Sequence, residues 1–150
     1  MRINRTIETD TPLTEVFSYL SDFRSTNDWD PGTVKTTLTS GDGGVGTIYH
    51  NVSSFMGRET ELDYTVTALE DGKRFQLRGV NSTTEAVDTM VFTRTPSGGT
   101  RVEYDADFSF KGGFRYIAPI LTPALWLGFK KLGDEAEKGM RRELDKLGAR

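Results

Sequence analysis

The sequence predicts an α+β domain: a curved antiparallel sheet of about seven strands held against one long C-terminal helix, with two short helices after the first strand. Three observations carry this. Six consecutive runs between residues 33 and 110 alternate apolar and polar side chains and are separated by clusters of turn residues. From Thr122 onward, apolar residues recur in steps of three and four. No repeat, low-complexity tract or linker divides the 150 residues, so the elements are expected to share one core as a single domain over 1–150.

Arg2 to Thr9 alternates around Ile3 and Ile7 and reads as the first strand. Thr11-Pro12 then reads as a helix start, with a hydroxyl to cap an orphan N–H and a proline where the missing N–H costs nothing. Leu13, Val16, Phe17 and Leu20 place one buried face on that helix. A further turn or two, Asp22 to Trp29, runs into Asp30-Pro31-Gly32, where the residue before proline leaves the helical region. Strands are expected at Thr33 to Ser40, Thr47 to Ser54, Arg58 to Leu69, Lys73 to Val80, Thr84 to Arg94 and Thr100 to Phe110. Short turns between them make an antiparallel meander. After Lys111-Gly112-Gly113, Thr122-Pro123 repeats the cap-plus-proline pattern, and Leu125, Phe129, Leu132, Ala136, Met140, Leu144 and Leu147 follow on one stripe. About 25 helical residues span roughly 37 Å, enough to cross the domain.

Composition narrows the function. Nineteen basic against 22 acidic residues give a net charge of −3, which offers nothing to a polyanion, so nucleic acid is not an expected partner. The absence of cysteine removes disulfides, thiolate nucleophiles and Cys-ligated metal sites. With His50 the only histidine, no metal site and no cofactor are expected. The first ten residues alternate and are charged, unlike a signal peptide, so a cytoplasmic location is expected, and the Asn-x-Ser/Thr triplets at Asn4, Asn51 and Asn81 read as chance. The most apolar window, Ile117 to Phe129, is broken by Pro119, Thr122 and Pro123 and is too short to cross a bilayer.

Gly41-Asp42-Gly43-Gly44-Val45-Gly46 matches G-x-G-x-x-G letter for letter, but a strand-like run follows it. A dinucleotide fingerprint needs a helix N-terminus there, so the segment reads as a turn between strands.

Within the strands, Val102, Tyr104, Ala106, Phe108 and Phe110 share one face, opposite Arg101, Glu103, Asp105, Asp107 and Ser109. Leu62, Tyr64, Val66 and Ala68 form a second such set, and Phe75 and Leu77 sit beside Met90 and Phe92. The inner face is therefore aromatic-rich with phenol hydroxyls among the carbons. Such side chains either interdigitate as a filled core or line a small-molecule cavity, and parity leaves both open.

The order of these pieces resembles a START-like domain of the polyketide cyclase/dehydrase and lipid-transport group, with the helix-grip fold shared by the birch-pollen allergen type. The resemblance rests on the strand and Thr-Pro helix followed by Trp29-Asp30-Pro31-Gly32, on Gly44-Val45-Gly46-Thr47 and Gly99-Thr100-Arg101-Val102 opening strands, and on the long charged helix around Leu144 and Leu147. It implies a cavity between sheet and C-terminal helix for lipids, sterols, polyketides or similar molecules. It implies no particular reaction, and no catalytic motif of a subfamily carries over.

Three functions follow as expectations. The first is non-catalytic binding or carriage of a hydrophobic small molecule enclosed by Trp29, Tyr64, Phe75, Met90, Phe92, Tyr104, Phe108, Leu125 and Phe129. The second is a cyclase- or dehydratase-type enzyme using the same cavity, with His50, Asp88 and Tyr104 as acid–base candidates and Tyr49, Tyr64 and Arg78 as partners. Parity does not fix whether His50 or its neighbours Tyr49 and Asn51 face inward. The third is contact with a second copy or a membrane surface through Ile117 to Phe129, since Ile117, Ile120, Leu121, Trp126 and Leu127 widen the apolar surface beyond one stripe.

Overall fold

The computed structural model describes residues 1–113 and 122–149. Strand β1 (Arg2–Thr9) leads to helix α1 (Leu13–Leu20), a 3-10 turn (Phe23–Ser25) and helix α2 (Thr26–Trp29). Strands β2 (Thr33–Ser40), β3 (Ile48–Phe55), β4 (Arg58–Glu70), β5 (Arg74–Val80), β6 (Thr84–Arg94) and β7 (Thr100–Phe110) follow, and helix α3 (Thr122–Gly148) closes the chain. The expected apolar segment around Ile117, Ile120 and Leu121 lies outside the described residues, as does the Thr122 side chain.

All seven strands form one antiparallel sheet in the order β1-β7-β6-β5-β4-β3-β2. Each consecutive pair from β2 to β7 is a hairpin, and β1 completes the sheet by pairing with β7 from Arg2 against Asp107 to Thr9 against Thr100. The tightest hairpin joins β3 to β4 through Met56 at φ 52° and Gly57 at φ 78°. Two successive positive φ values are what a two-residue turn needs to match the twist of its strands.

The short helices are tied to edge strand β2, where Asn27 Nδ2 donates to the Thr36 carbonyl at 3.0 Å and Thr36 N donates to Asn27 Oδ1 at 2.9 Å. The buried hydroxyls of Thr26 and Thr36 meet at 2.6 Å.

Thr11 corrects the sequence reading. Pro12 occupies the cap position of α1 without a side-chain bond, and the Thr11 hydroxyl instead donates to the Leu144 carbonyl of α3 at 2.6 Å. Thr9 Oγ1 donates to Asp145 Oδ1 at 2.7 Å, and Thr100 Oγ1 donates to the Thr11 carbonyl at 2.8 Å. These buried hydroxyls clamp the end of α3 to the β1–β7 edge. Toward the middle of the helix, Arg5 on β1 bonds the Lys130 carbonyl at 3.3 Å and Asp134 at 3.0 Å. The helix is thus held at its C-terminal end and at its middle.

Candidate ligand-binding cavity

The inner face of the sheet has two unlike halves. At one end Val66, Phe75, Leu77, Met90, Phe92 and Val102 are fully or nearly fully buried, with α1 above them. Phe17 of α1 meets Phe92 edge-on with centroids 5.0 Å apart. Farther along, the same face carries Gly79, Ala86 and Ala106. The Tyr64 ring lies over Gly79, and a cavity of about 790 Å³ lies between the sheet and α3, within the size range of small-molecule sites.

Its walls come from four directions. Strand β7 supplies Tyr104 and Phe108, β6 supplies Asp88, β4 supplies Leu62 and Tyr64, and α3 supplies Leu125, Phe129, Leu132 and Ala136. Phe129 stands between Phe55 on β3 and Phe108 on β7, with centroids 4.7 and 5.0 Å away, so it joins the helix to both sides of the sheet. Tyr64 fits because Gly79 faces it: a Cβ at Gly79 would stand 2.6 Å from Tyr64 Cε1.

The most buried polar groups of the wall meet around Asp88. Tyr104 donates its phenol proton to Asp88 Oδ2 at 3.0 Å, while Asp88 Oδ1 is buried with no hydrogen-bond partner among the described residues. Burial pushes Asp88 up to about 7; the Tyr104 bond opposes this, and the charges of Asp30 and Asp105 add to it. Asp30, also on the cavity wall, is raised by burial but accepts from Thr33 Oγ1 at 2.9 Å and Gly32 N at 3.0 Å. Burial, then the Asp88 charge, lifts Tyr64 and Tyr104 well above 10, so both stay neutral phenols.

The other expected residues lie elsewhere. Phe75, Met90 and Phe92 do not line the cavity; they are buried in the core, Phe92 against Phe17 of α1. Trp29 is core as well: its indole N–H donates to Ser25 Oγ at 3.2 Å, and its ring packs edge-on behind Tyr104 at 5.5 Å. His50 is on the outer face, its Nδ1 2.7 Å from Asp63 Oδ1 and its Nε2 3.1 Å from Glu61 Oε1. Tyr49 and Asn51 turn inward instead, and Tyr49 packs at 5.8 Å from the wall residue Phe23 without lining the cavity itself. Arg78 is exposed and ion-paired with Glu85 at 2.7 Å. Of the acid–base candidates, the fold brings Asp88, Tyr104 and Tyr64 to one cavity and leaves His50 and Arg78 outside it. Asp30, Asn51, Leu62 and Ala136 are wall residues that sequence reasoning missed.

Trp126 and Leu127, beside the wall residues Ala124 and Leu125, are 57% and 62% exposed, as the apolar surplus in this segment led one to expect. Among the described residues no cluster of three or more His, Asp or Glu is arranged to hold a metal, and no helix is long and apolar enough to cross a membrane.

The sequence pattern of the family described as polyketide cyclase / dehydrase and lipid transport matches residues 1–150. The chain belongs to this family. Solved structures similar to this polyketide cyclase/dehydrase family member share its fold at low identity. A START superfamily protein from Mycobacterium smegmatis aligns with TM-score 0.78 at 13% identity, covering 97% of this chain and 98% of its own. The Zhui aromatase/cyclase from a Streptomyces species aligns with TM-score 0.78 at 12% identity, covering 97% and 94%. A protein from Thermus thermophilus aligns with TM-score 0.79 at 14% identity, covering 96% and 97%. No curated protein matches the chain closely enough to count as a relative. Family and architecture together make this a hydrophobic-ligand-binding, helix-grip fold.

Proposed function

We propose that the protein is a non-catalytic binder or carrier of a hydrophobic small molecule held between the sheet and α3. The observation that carries this reading is the cavity of about 790 Å³, walled largely by aromatic and aliphatic side chains, with the Asp88–Tyr104 pair buried on one side of it. Affinity would come from apolar area, at about 25 cal/mol per Å² removed from water. Trp126 and Leu127 favour loading at a lipid surface, because they place an indole and an aliphatic side chain in solvent next to wall residues. Native mass spectrometry of the purified protein, with organic extraction of the same sample, tests the binding reading. A discrete co-purified mass supports it; a clean apo mass together with no uptake of neutral apolar dyes overturns it. Liposome flotation of wild type and Leu127→Glu tests the loading step, which requires the variant to lose flotation.

Asp88 favours a second reading, proton transfer on the bound molecule. A buried carboxyl group pushed up to about 7 suits general acid–base work. In a dehydration it would give its proton to a departing hydroxyl and take one from the adjacent carbon, so that water leaves, a double bond forms and Asp88 is restored. Tyr104 would position it. The two readings part on Asp88→Asn, which still takes up a neutral apolar dye if the protein is a carrier and loses all turnover if it is such an enzyme.

A further inference from the structure

The binding reading leaves open what kind of head group the ligand carries, and the deep end of the cavity restricts it. Asp88 is 5% exposed and faces the cavity, with Oδ2 taken by Tyr104 and Oδ1 unpartnered among the described residues. Native folds rarely leave a buried oxygen of that kind without a donor. Among the described residues nothing nearby supplies one: the Tyr104 proton is committed to Oδ2, and Asp30 is a second carboxyl acceptor that takes bonds from Gly32 and Thr33. Tyr64 lies on the same wall and makes no hydrogen bond among the described residues, so its hydroxyl is available to a guest.

Charge points the same way. Among the described wall residues the only cation is Arg58, at the β3–β4 hairpin and next to Glu59. Asp88 pairs across β5 Leu77 with Val66, eight residues farther along β4 from Arg58. At about 3.3 Å per residue this is roughly 25 Å along the strand. Among the described residues the deep end therefore holds two carboxyl groups and no basic side chain to meet an acid.

Resting on the binding reading, we propose that the cavity takes an apolar molecule with a neutral hydroxyl head, an aliphatic alcohol or a phenol. Its O–H donates to Asp88 Oδ1, and free fatty carboxylates are rejected. A hydroxyl fits the inventory: it has one proton for the one free oxygen and lone pairs for the Tyr64 phenol. An alkylammonium has three protons to place and no acceptor to offer. A carboxylate has no proton to give and meets the field of Asp88 and Asp30.

The test is displacement of Nile red, a neutral apolar dye, from the full chain by dodecan-1-ol and by dodecanoate in mildly alkaline buffer. A hydrogen bond to a charged acceptor is worth about 1.5–3 kcal/mol, so the alcohol is expected to displace the dye at a concentration at least about tenfold lower. In Asp88→Asn, Tyr104 holds the amide oxygen and turns the NH₂ toward the cavity, so the preference is expected to vanish or reverse. Asp107→Asn, on the outer face, is expected to keep it. If wild type fails to bind Nile red, the cavity reading itself falls. If Nile red binds but dodecanoate competes as well as the alcohol, only the hydroxyl-head assignment falls. An intact preference in folded Asp88→Asn removes Asp88 from the recognition.

Discussion

Tyr104 and Asp88 are diagonal neighbours across the β6–β7 pair, Tyr104 opposite Met90 and Asp88 opposite Ala106, and the phenol reaches the carboxyl at 3.0 Å. Because burial raises Asp88 from 3.8 to about 7, the folded chain keeps a proton that the unfolded chain releases. Stability attributable to this group therefore falls as pH rises through that window and levels off above it. Asp88→Asn is expected to raise stability on the alkaline side, by at most about 4 kcal/mol, and to change little on the acid side below the ordinary carboxylate range. Urea unfolding at the two extremes measures the difference. Tyr104→Phe is expected to do the opposite, lowering alkaline stability by about 1–3 kcal/mol, because it strips the carboxylate of its donor.

Gly79 bears on Tyr64 in the same direct way. A strand interior ordinarily gains from replacing glycine, since glycine loses the most backbone freedom on folding. Here the added Cβ would meet the Tyr64 ring at 2.6–2.8 Å. Gly79→Ala is expected to lower stability by about 1–3 kcal/mol and to weaken Nile red binding several-fold, as the ring is driven from its place on the wall. An unchanged or raised urea midpoint would mean the ring does not lie over the glycine.

Periodicity in the sequence was enough to place the strands, because alternation in segments such as Thr84–Arg94 and Thr100–Phe110 is a local property of a half-buried sheet. What it could not locate was the cavity. Parity puts Phe92 and Phe108 on the same inner face and is silent on which end α1 covers. Small inward residues do not mark it either, since Gly79 lies under the Tyr64 ring and Ala86 and Ala106 are buried away from the wall. His50 was ambiguous because its orientation depends on register: only when β3 pairs His50 with Asp63 does the outward acidic pair that captures it become visible. Thr11 misled for a related reason. A Thr-Pro pair reads locally as a cap, but the acceptor it found, the Leu144 carbonyl, is 133 residues away.

The division of the inner face makes core and wall separable by mutation. Phe92 is 3% exposed, meets Phe17 edge-on and is absent from the cavity wall, so Phe92→Ala is expected to cost about 3–5 kcal/mol while leaving dye affinity unchanged below the melting transition. Phe129 already faces a void on one side. Phe129→Ala is expected to lower stability less and to alter the affinity order of bulky against slender guests, because it opens the wall between Phe55 and Phe108. Paired calorimetry and dye titration on the two variants check this.

His50 provides the control for every cavity variant. Its pKa is raised above 6.5 by its bonds to Asp63 and then Glu61, so its charge-dependent stabilisation is present below that value and fades as pH rises through the higher folded one. With the imidazole 36% exposed and both partners about two-thirds exposed, solvent screening holds the contribution well under about 1 kcal/mol. His50→Gln is expected to leave ligand binding, and any turnover, unchanged. NMR titration of the single imidazole checks the direction of the shift. A His50→Gln variant that lost binding would require the side chain to act through the sheet from its outer face, which the pairing with Asp63 and Glu61 opposes, and it would move the site from the Asp88 side of the sheet to the outer one.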